Sequence, residues 1–364
     1  MERLGKKMIA GIQQIGVGVE DLFKAWKWYH KVFGLDIKAF DDDSVADLMA
    51  QYMGGKPREK RAILAINLQG GGGFEIWQHT GRKPKKPDFE VKIGDLGIFA
   101  AKIKCKNCKQ TYDYFKSISV ETLNGIDINP EGKENFYIKD PFGNYFHIVE
   151  SSDWYTEEKK NTGGAYGAVI GVSDIEKAKK LYSDILGYDK VKYDEVNVFE
   201  DLKNISGGDK KMRRVLLAHE EPRKGSFSKL FGESEIELIQ KMEGTPTKIF
   251  KDRYWGDPGF IHLCYDIIGM DYLKKECDEK GFSFTVDSRS KHTDDRSFDM
   301  GDASGYFSYI EDPDGTLIEF VETHKIPLIK KLGLYINLQK RNGKNLPNWM
   351  INTLRFSRVK KFKV

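Results

Sequence analysis

The stretches "YIKDPFGNYFHIVE" (137–150) and "YIEDPDGTLIEFVE" (309–322) are two versions of one phrase, with Tyr, Ile, Asp, Pro, Gly, Val and Glu in register. Asp, Pro and Gly at the first, second and fourth positions suit a type I turn. The Tyr-Ile before the turn and the alternating residues after it read as the two strands of a hairpin. Four residues beyond the glycine the phrases part, and His147 stands where the other has Glu319.

Three further landmarks recur in the same order. "VEDLFKAWKWYHKVFGLD" (19–36) matches "VSDIEKAKKLYSDILGYD" (172–189), "GGFEIWQ" (72–78) matches "SEIELIQ" (234–240), and "DLGIFAAKIKC" (95–105) matches "DPGFIHLCYDI" (257–267). Such ordered self-similarity marks a duplicated domain. The chain divides into a first copy (1–152), a polar linker ending in Gly-Gly (153–164), a second copy (165–324) and a basic extension (325–364). Within each copy a short apolar strand, an amphipathic helix stopped by glycine (Gly34 or Gly187), and further strands occur twice over. The expected class is α+β.

Composition bounds the rest. The chain has 364 residues, 40% hydrophobic and 31% charged, enough apolar material for a core. No apolar run reaches the roughly 18 residues of a membrane span, and the N-terminal stretch lacks the apolar segment and cleavage site of a secretion signal. A cytoplasmic protein is expected. Four cysteines make no disulfide framework, and the lone C-x-x-C of Cys105 and Cys108 reads as small residues where a strand meets a helix. Net charge is +4, yet residues 325–364 carry eleven Lys or Arg and no acid, so the body is acidic. The extension reads as a helix pair docked on that body, without a nucleic-acid motif.

Strand side chains alternate between faces. In "IELIQ", Glu237 lies opposite Ile236 and Leu238. In "FIHLCYDI", His262, Cys264 and Asp266 lie opposite Ile261, Leu263 and Tyr265. In "LIEFVE", Glu319 lies opposite Ile318 and Phe320. With the apolar faces under the helices, Glu237, His262 and Glu319 share the other face. Two carboxylates and an imidazole suit Zn, Ni, Fe or Mn and leave positions open for substrate. The alternative is three unrelated polar residues on a solvated sheet.

With these residues on the page, the chain resembles the vicinal oxygen chelate superfamily of glyoxalase I, methylmalonyl-CoA epimerase, extradiol dioxygenases and bleomycin-resistance proteins. The resemblance rests on the V-x-D-(8)-Y-(4)-G openings and the Y-x-x-D-P-x-G-x-x-x-E closing phrase, and covers about 1–324. It implies tandem βαβββ modules paired into two cup-shaped domains, with metal ligands on the first and last strands of the modules. At those places the second copy offers Gly167, Glu237, His262 and Glu319, and the first offers Gln14, Glu75, Ala100 and His147. Ala100 cannot ligate, so the second copy is expected to hold the divalent metal through Glu237, His262 and Glu319. Gln14, Glu75 and His147 are the first copy's candidates; Gln in the first place occurs in glyoxalase I.

The resemblance implies a glyoxalase-like lyase or isomerase. Its metal would hold two neighbouring oxygens of a small-molecule substrate while an enediolate or enolate forms, and Glu237 or Glu319 would move the proton. Epimerase-like chemistry belongs to the same reading. A ring-cleaving dioxygenase is the less fitting member, because Gly167 stands where its first His is required and "DMGDASGYFS" lacks its further His. A metal-independent binding protein of the bleomycin-resistance type is the alternative class, with Trp77, Trp255, Tyr306 and Tyr309 as cup walls. The polar stretch "HTDDRSFDMGDASGY" (292–306) reads as a loop beside the site. Two fused copies suit a monomer that mimics a dimer, or a homodimer.

Overall fold

Asp21, Asn107 and Asp174 each open a helix, their side chains accepting the backbone N–H three residues on, as short polar N-caps do. In the computed structural model, which describes residues 6–291, 298–299, 304–329, 334–341, 343–360 and 362, these helices are α1 (Leu22–Phe33), α2 (Cys108–Ser117) and α3 (Ile175–Tyr182). A fourth, α4 (Met270–Glu279), follows Gly269. The first module comprises β1 (Met8–Gly18), α1, β2 (Ile37–Val45), β3 (Glu59–Ile66) and β4 (Gly73–His79). The second comprises β5 (Gly97–Cys105), α2, β6 (Glu134–Lys139) and β7 (Tyr145–Glu150) with two-residue strands before β6. The third comprises β8 (Thr162–Gly171), α3, β9 (Lys190–Asn197), β10 (Met212–Ala218) and β11 (Glu235–Lys241). The fourth comprises β12 (Gly259–Ile268), α4, β13 (Ser304–Glu311) and β14 (Leu317–Ile329), with two-residue strands Val286–Asp287 and Phe298–Asp299 before β13. Two βαβββ modules per copy are therefore present. Most of 292–306 lies outside the described residues.

The modules pair across the copies. One sheet runs β13-β14-β12-β1-β4-β3-β2, joining the fourth module to the first. The other runs β9-β10-β11-β8-β5-β7-β6, joining the third to the second. The seams are antiparallel: β1 against β12, from Met8 opposite Ile268 to Gly18 opposite Gly259, and β8 against β5. The copy at 1–152 thus contributes half of each cup, and so does the copy at 165–324. Sequence similarity marks copies but carries no signal for which edge a module's first strand joins.

One large core fills the space between the helix-bearing faces of the two sheets. Ile12, Ile15 and Val17 of β1, Phe146 and Ile148 of β7, Ile170 of β8 and Leu263 of β12 all belong to it. Here the repeated landmarks meet. The Tyr29 hydroxyl of the first opening donates to Asp140 Oδ2 of the first closing phrase at 2.7 Å, and Tyr182 donates to Asp312 Oδ2 at 3.0 Å. The other oxygen of each Asp holds the turn, accepting from Phe142 and Asn144 N–H in one copy and from Asp314 and Thr316 N–H in the other. The D-P-x-G aspartate is therefore both turn former and buried clamp between the two modules of its own copy.

The extension departs from a helix pair. β14 runs on past Lys325 and folds back as β15 (Leu334–Asn337), with Ile326 opposite Ile336. That alternation serves a strand as well as a helix in so short a segment. Short helical pieces follow, and Leu338, Leu346 and Ile351 bury against Ile37, Ile66, Leu230 and Phe231. Arg355 and Arg358 pair with Glu158, so the basic tail does dock on acidic groups of the body. No helix among the described residues is long and apolar enough to cross a membrane.

Candidate metal centre

Four adjacent strands each send one polar side chain into the first cup. Gln14 comes from β1, Glu75 from β4, His262 from β12 and Glu319 from β14. His262 Nε2 lies 3.2 Å from both Glu75 Oε2 and Glu319 Oε2, and Gln14 Nε2 lies 3.4 Å from the same two oxygens. One ligand atom from each of Glu75, His262 and Glu319 falls within 4.8 Å of the others. Gln14, His262 and Glu319 are buried and Glu75 is largely so.

Two glycines make this approach possible. Gly16 of β1 stands opposite both Glu75 and His262, and a Cβ there would lie 2.4 Å from His262 Cε1. The imidazole thus lies flat across a strand with no side chain. A Cβ at Gly18 would meet the Asp257 carbonyl at 2.1 Å, so the next glycine lets the 254–257 strap cross the same strand. A bulge in the β1–β12 ladder falls between the Gly16–His262 and Val17–Phe260 pairs. It turns Ile261 toward Trp77, Trp255 and Tyr309 instead of toward Leu263 and Tyr265, as simple alternation had it.

Burial opposes charge on His262, but Glu319 and Glu75 outweigh it and hold the imidazole above its ordinary range. Burial pushes the Glu319 carboxyl up; His262 opposes this and Glu75 adds to it. Neither ring nitrogen of His262 makes a hydrogen bond, nor does Gln14 Oε1. Buried polar atoms are normally satisfied. Two converging carboxylates, an imidazole and an amide oxygen without partners form a donor set that fits a divalent metal. Burial and then the Glu319 charge push the Cys264 thiol and Tyr309 hydroxyl up, so both stay protonated beside it.

The walls are apolar. Met49, Met53, Trp77, Trp255, Tyr309 and Leu317 form one cluster over the triad. The Trp255 ring lies nearly parallel to His262 at 6.1 Å, and Tyr309 stands edge-on at 5.7 Å. Trp255 is held by its backbone N–H to the Tyr52 carbonyl at 3.0 Å and by the neighbouring Asp257, whose carboxylate accepts from the backbone N–H of Tyr254 and of Lys85. Of the expected aromatic walls, Tyr306 is elsewhere, edge-on to His324 at 4.6 Å.

Glu237 does not join His262 and Glu319, because β11 belongs to the other sheet. The expected trio is therefore corrected: Glu75 stands where Glu237 was expected, with Gln14 beside it. Glu237 lies in the second cup, where Lys102 Nζ sits 3.0 Å from it and 2.6 Å from Glu235. Tyr193 donates to Glu237 at 2.9 Å, and Arg214 bridges Glu237 and Asp201. Burial alone would raise the Glu237 carboxyl, yet Arg214 and Lys102 hold it well below its usual range. His147 stacks on Tyr137 at 4.2 Å, bonds to Asn135 at 3.0 Å, and lies 3.6 Å from Glu237. Burial leads in pushing it down to about 4, so it is neutral. Gly167 is opposite Glu235, whose carbonyl a Cβ would strike at 1.8 Å, and Ala100 packs in an apolar cluster. Trp255 stands where a cup wall is expected, whereas Gly16 and Gly18 go unmarked in the sequence reading; the alternate glycines of "GVG" (16–18) are the available signal.

Two family models carry the same description, the glyoxalase/bleomycin resistance protein/dioxygenase superfamily; one matches residues 11–148 and the other 168–299. Among solved structures, glyoxalase I from Zea mays aligns with a TM-score of 0.52 at 14% identity, over 87% of this chain and 92% of that one. A protein from Bacillus subtilis proposed to be a dioxygenase aligns with a TM-score of 0.55 at 14% identity, over 99% of both chains. At such identity these likenesses speak for the fold. Comparison with curated protein sequences gave no match.

Proposed function

From the premise that this chain belongs to the glyoxalase/bleomycin resistance protein/dioxygenase superfamily, we propose a divalent-metal-dependent lyase or isomerase that transfers a proton on a small molecule with two adjacent oxygens. The observation that carries this reading is the convergence of Glu75, His262 and Glu319 on one point, with His262 Nε2 3.2 Å from an oxygen of each carboxylate. Those three would hold the metal, and Gln14 would join them by turning its amide so that Oε1 replaces Nε2 beside the two carboxylates. A bound divalent metal supplies a Lewis acid for charge developing on neighbouring oxygens.

The chain's own residues do the rest. Glu75 on β4 and Glu319 on β14 approach one point from either side of the β12–β1 pair, so one carboxylate can stay in place while the other takes and returns a proton on the adjacent carbon. Protonated Tyr309 and Cys264 flank Glu319 and favour its anionic form once it has released that proton. Trp77, Trp255 and Met53 keep the cup dry, which strengthens each charge interaction in it.

The apolar, aromatic wall favours a second reading, a metal-independent binding protein of the bleomycin-resistance type. Metal analysis of protein purified without chelator separates the two. The enzyme reading expects about one divalent ion per chain, lost in His262→Ala and Glu319→Ala. Wild-type protein with no more metal than either variant would leave only the binding reading.

A further inference from the structure

We infer that the second cup is closed to metal because Lys102 supplies its cation internally, so that the chain takes up one divalent ion and not two. Register assigns the counterparts. Gly16 faces Glu75 across β1 and β4, and Val169 faces Glu237 across β8 and β11. Glu237 is therefore the second cup's Glu75. Cys264 faces Glu319, and Lys102 faces His147, across the parallel strands β12–β14 and β5–β7. His147 is then the counterpart of Glu319, and Lys102 the counterpart of Cys264. The imidazole ligand has become Ala100, while the thiol one step along the same face has become a lysine long enough to reach the carboxylates.

The result is a filled site. The Lys102 ammonium lies between Glu235 at 2.6 Å and Glu237 at 3.0 Å, and Arg214 takes the other side of Glu237. Lys102, His147, Arg214 and Glu237 are all at most 1% exposed. His147 Nδ1 lies 3.6 Å from Glu237, so the imidazole is engaged with the same carboxylate as the two cations. A divalent ion added here would meet two buried cations in an interior that screens charge poorly. An ordinary structural ion pair would place a lysine anywhere on the sheet; this one occupies the place where ligand atoms converge in the other cup.

The count of one rests on the proposed function of the first cup, whereas the exclusion from the second does not. The test is zinc stoichiometry by mass spectrometry after dialysis against Zn²⁺. Wild type is expected to hold one equivalent, Glu75→Ala/Glu319→Ala none, and Lys102→Met one equivalent more than wild type. If Lys102→Met does not fold, Lys102→Gln removes the charge while keeping a polar partner for both carboxylates, and gives the same reading. A wild type without zinc sinks the proposed function, while a gained equivalent in the lysine variant still upholds the exclusion. The inference is overturned if the folded lysine variant gains none, or if Glu75→Ala/Glu319→Ala retains an equivalent that Glu237→Gln removes.

Discussion

Gly16→Ala is the sharpest test of how the triad is built. The new methyl would lie 2.4 Å from Cε1, 2.6 Å from Nε2 and 2.8 Å from Nδ1 of His262, where ordinary contact begins at 3.4 Å. The ring must therefore retreat by about 1 Å, and Gly16 has no left-handed backbone to add strain of its own. Retreat is hindered by Trp255 on one face and Tyr309 at the edge. Overpacking of this kind costs about 1–3 kcal/mol of stability. Misplacing a reacting group by about 1 Å costs on the order of 100-fold, equivalent to about 2.7 kcal/mol of binding. We expect metal affinity, measured by competition with a chromophoric chelator, to fall about 100-fold. The urea midpoint of the metal-free protein should fall by the equivalent of about 1–3 kcal/mol. Gly125→Ala is the control, since a Cβ there meets nothing within 4 Å. Gly16→Ala protein with wild-type affinity within twofold and an unchanged urea midpoint would refute the packing of His262 on Gly16.

The remaining predictions address the clamp, the two cups and the tail. Asp312 is pushed up to about 6 by burial, so its share of stability is fully present below about pH 4 and is lost as pH rises through 6. This amounts to roughly 3 kcal/mol between those limits, and an unfolding-versus-pH difference between wild type and Asp312→Asn that stays flat from pH 4 to 6.5 would contradict it. Glu237→Ala should cost about 1–3 kcal/mol by leaving Lys102 to Glu235 alone and Arg214 to Asp201 alone yet leave metal content unchanged, whereas Glu75→Ala should do the reverse; equal metal loss in both would restore Glu237 to the metal site. Leu346→Ala, at a residue 1% exposed, should destabilise by about 2–5 kcal/mol in chemical melts, and a change under 0.5 kcal/mol would mean the tail does not dock.

The residues of the site were more legible than their company. Period-two alternation identified His262 and Glu319 as inward-facing, and the family resemblance implied Gln14 and Glu75 as candidates in the other copy. It could not show that these four share one sheet, because β1 joins β12 through backbone hydrogen bonds that leave no mark in side-chain pattern. Glu237 therefore read as the partner of His262 when it is the partner of Lys102. "AAKIKC" (100–105) held the missing clue: Lys102 and Lys104 alternate with apolar residues, which reads as a wet face, yet both are at most 1% exposed. Buried lysines escape prediction because the carboxylates that make them tolerable come from distant strands. The bulge at Ile261 was equally hidden, since alternation presumes an unbroken ladder.

The crossing of modules between copies has a consequence for how this chain is made. When the first copy has left the ribosome, β1 and β5 each lack their antiparallel neighbour, because β12 and β8 have yet to be synthesised. Two open strand edges then wait together on a nascent chain, the condition under which strands pair with the wrong molecule. A fragment ending near the linker has one closed-symmetry escape, exchanging those edges with a second fragment like itself. Joining the copies in one polypeptide makes that exchange intramolecular, and it lets the two cups diverge, since Lys102 can arise in one without appearing in the other.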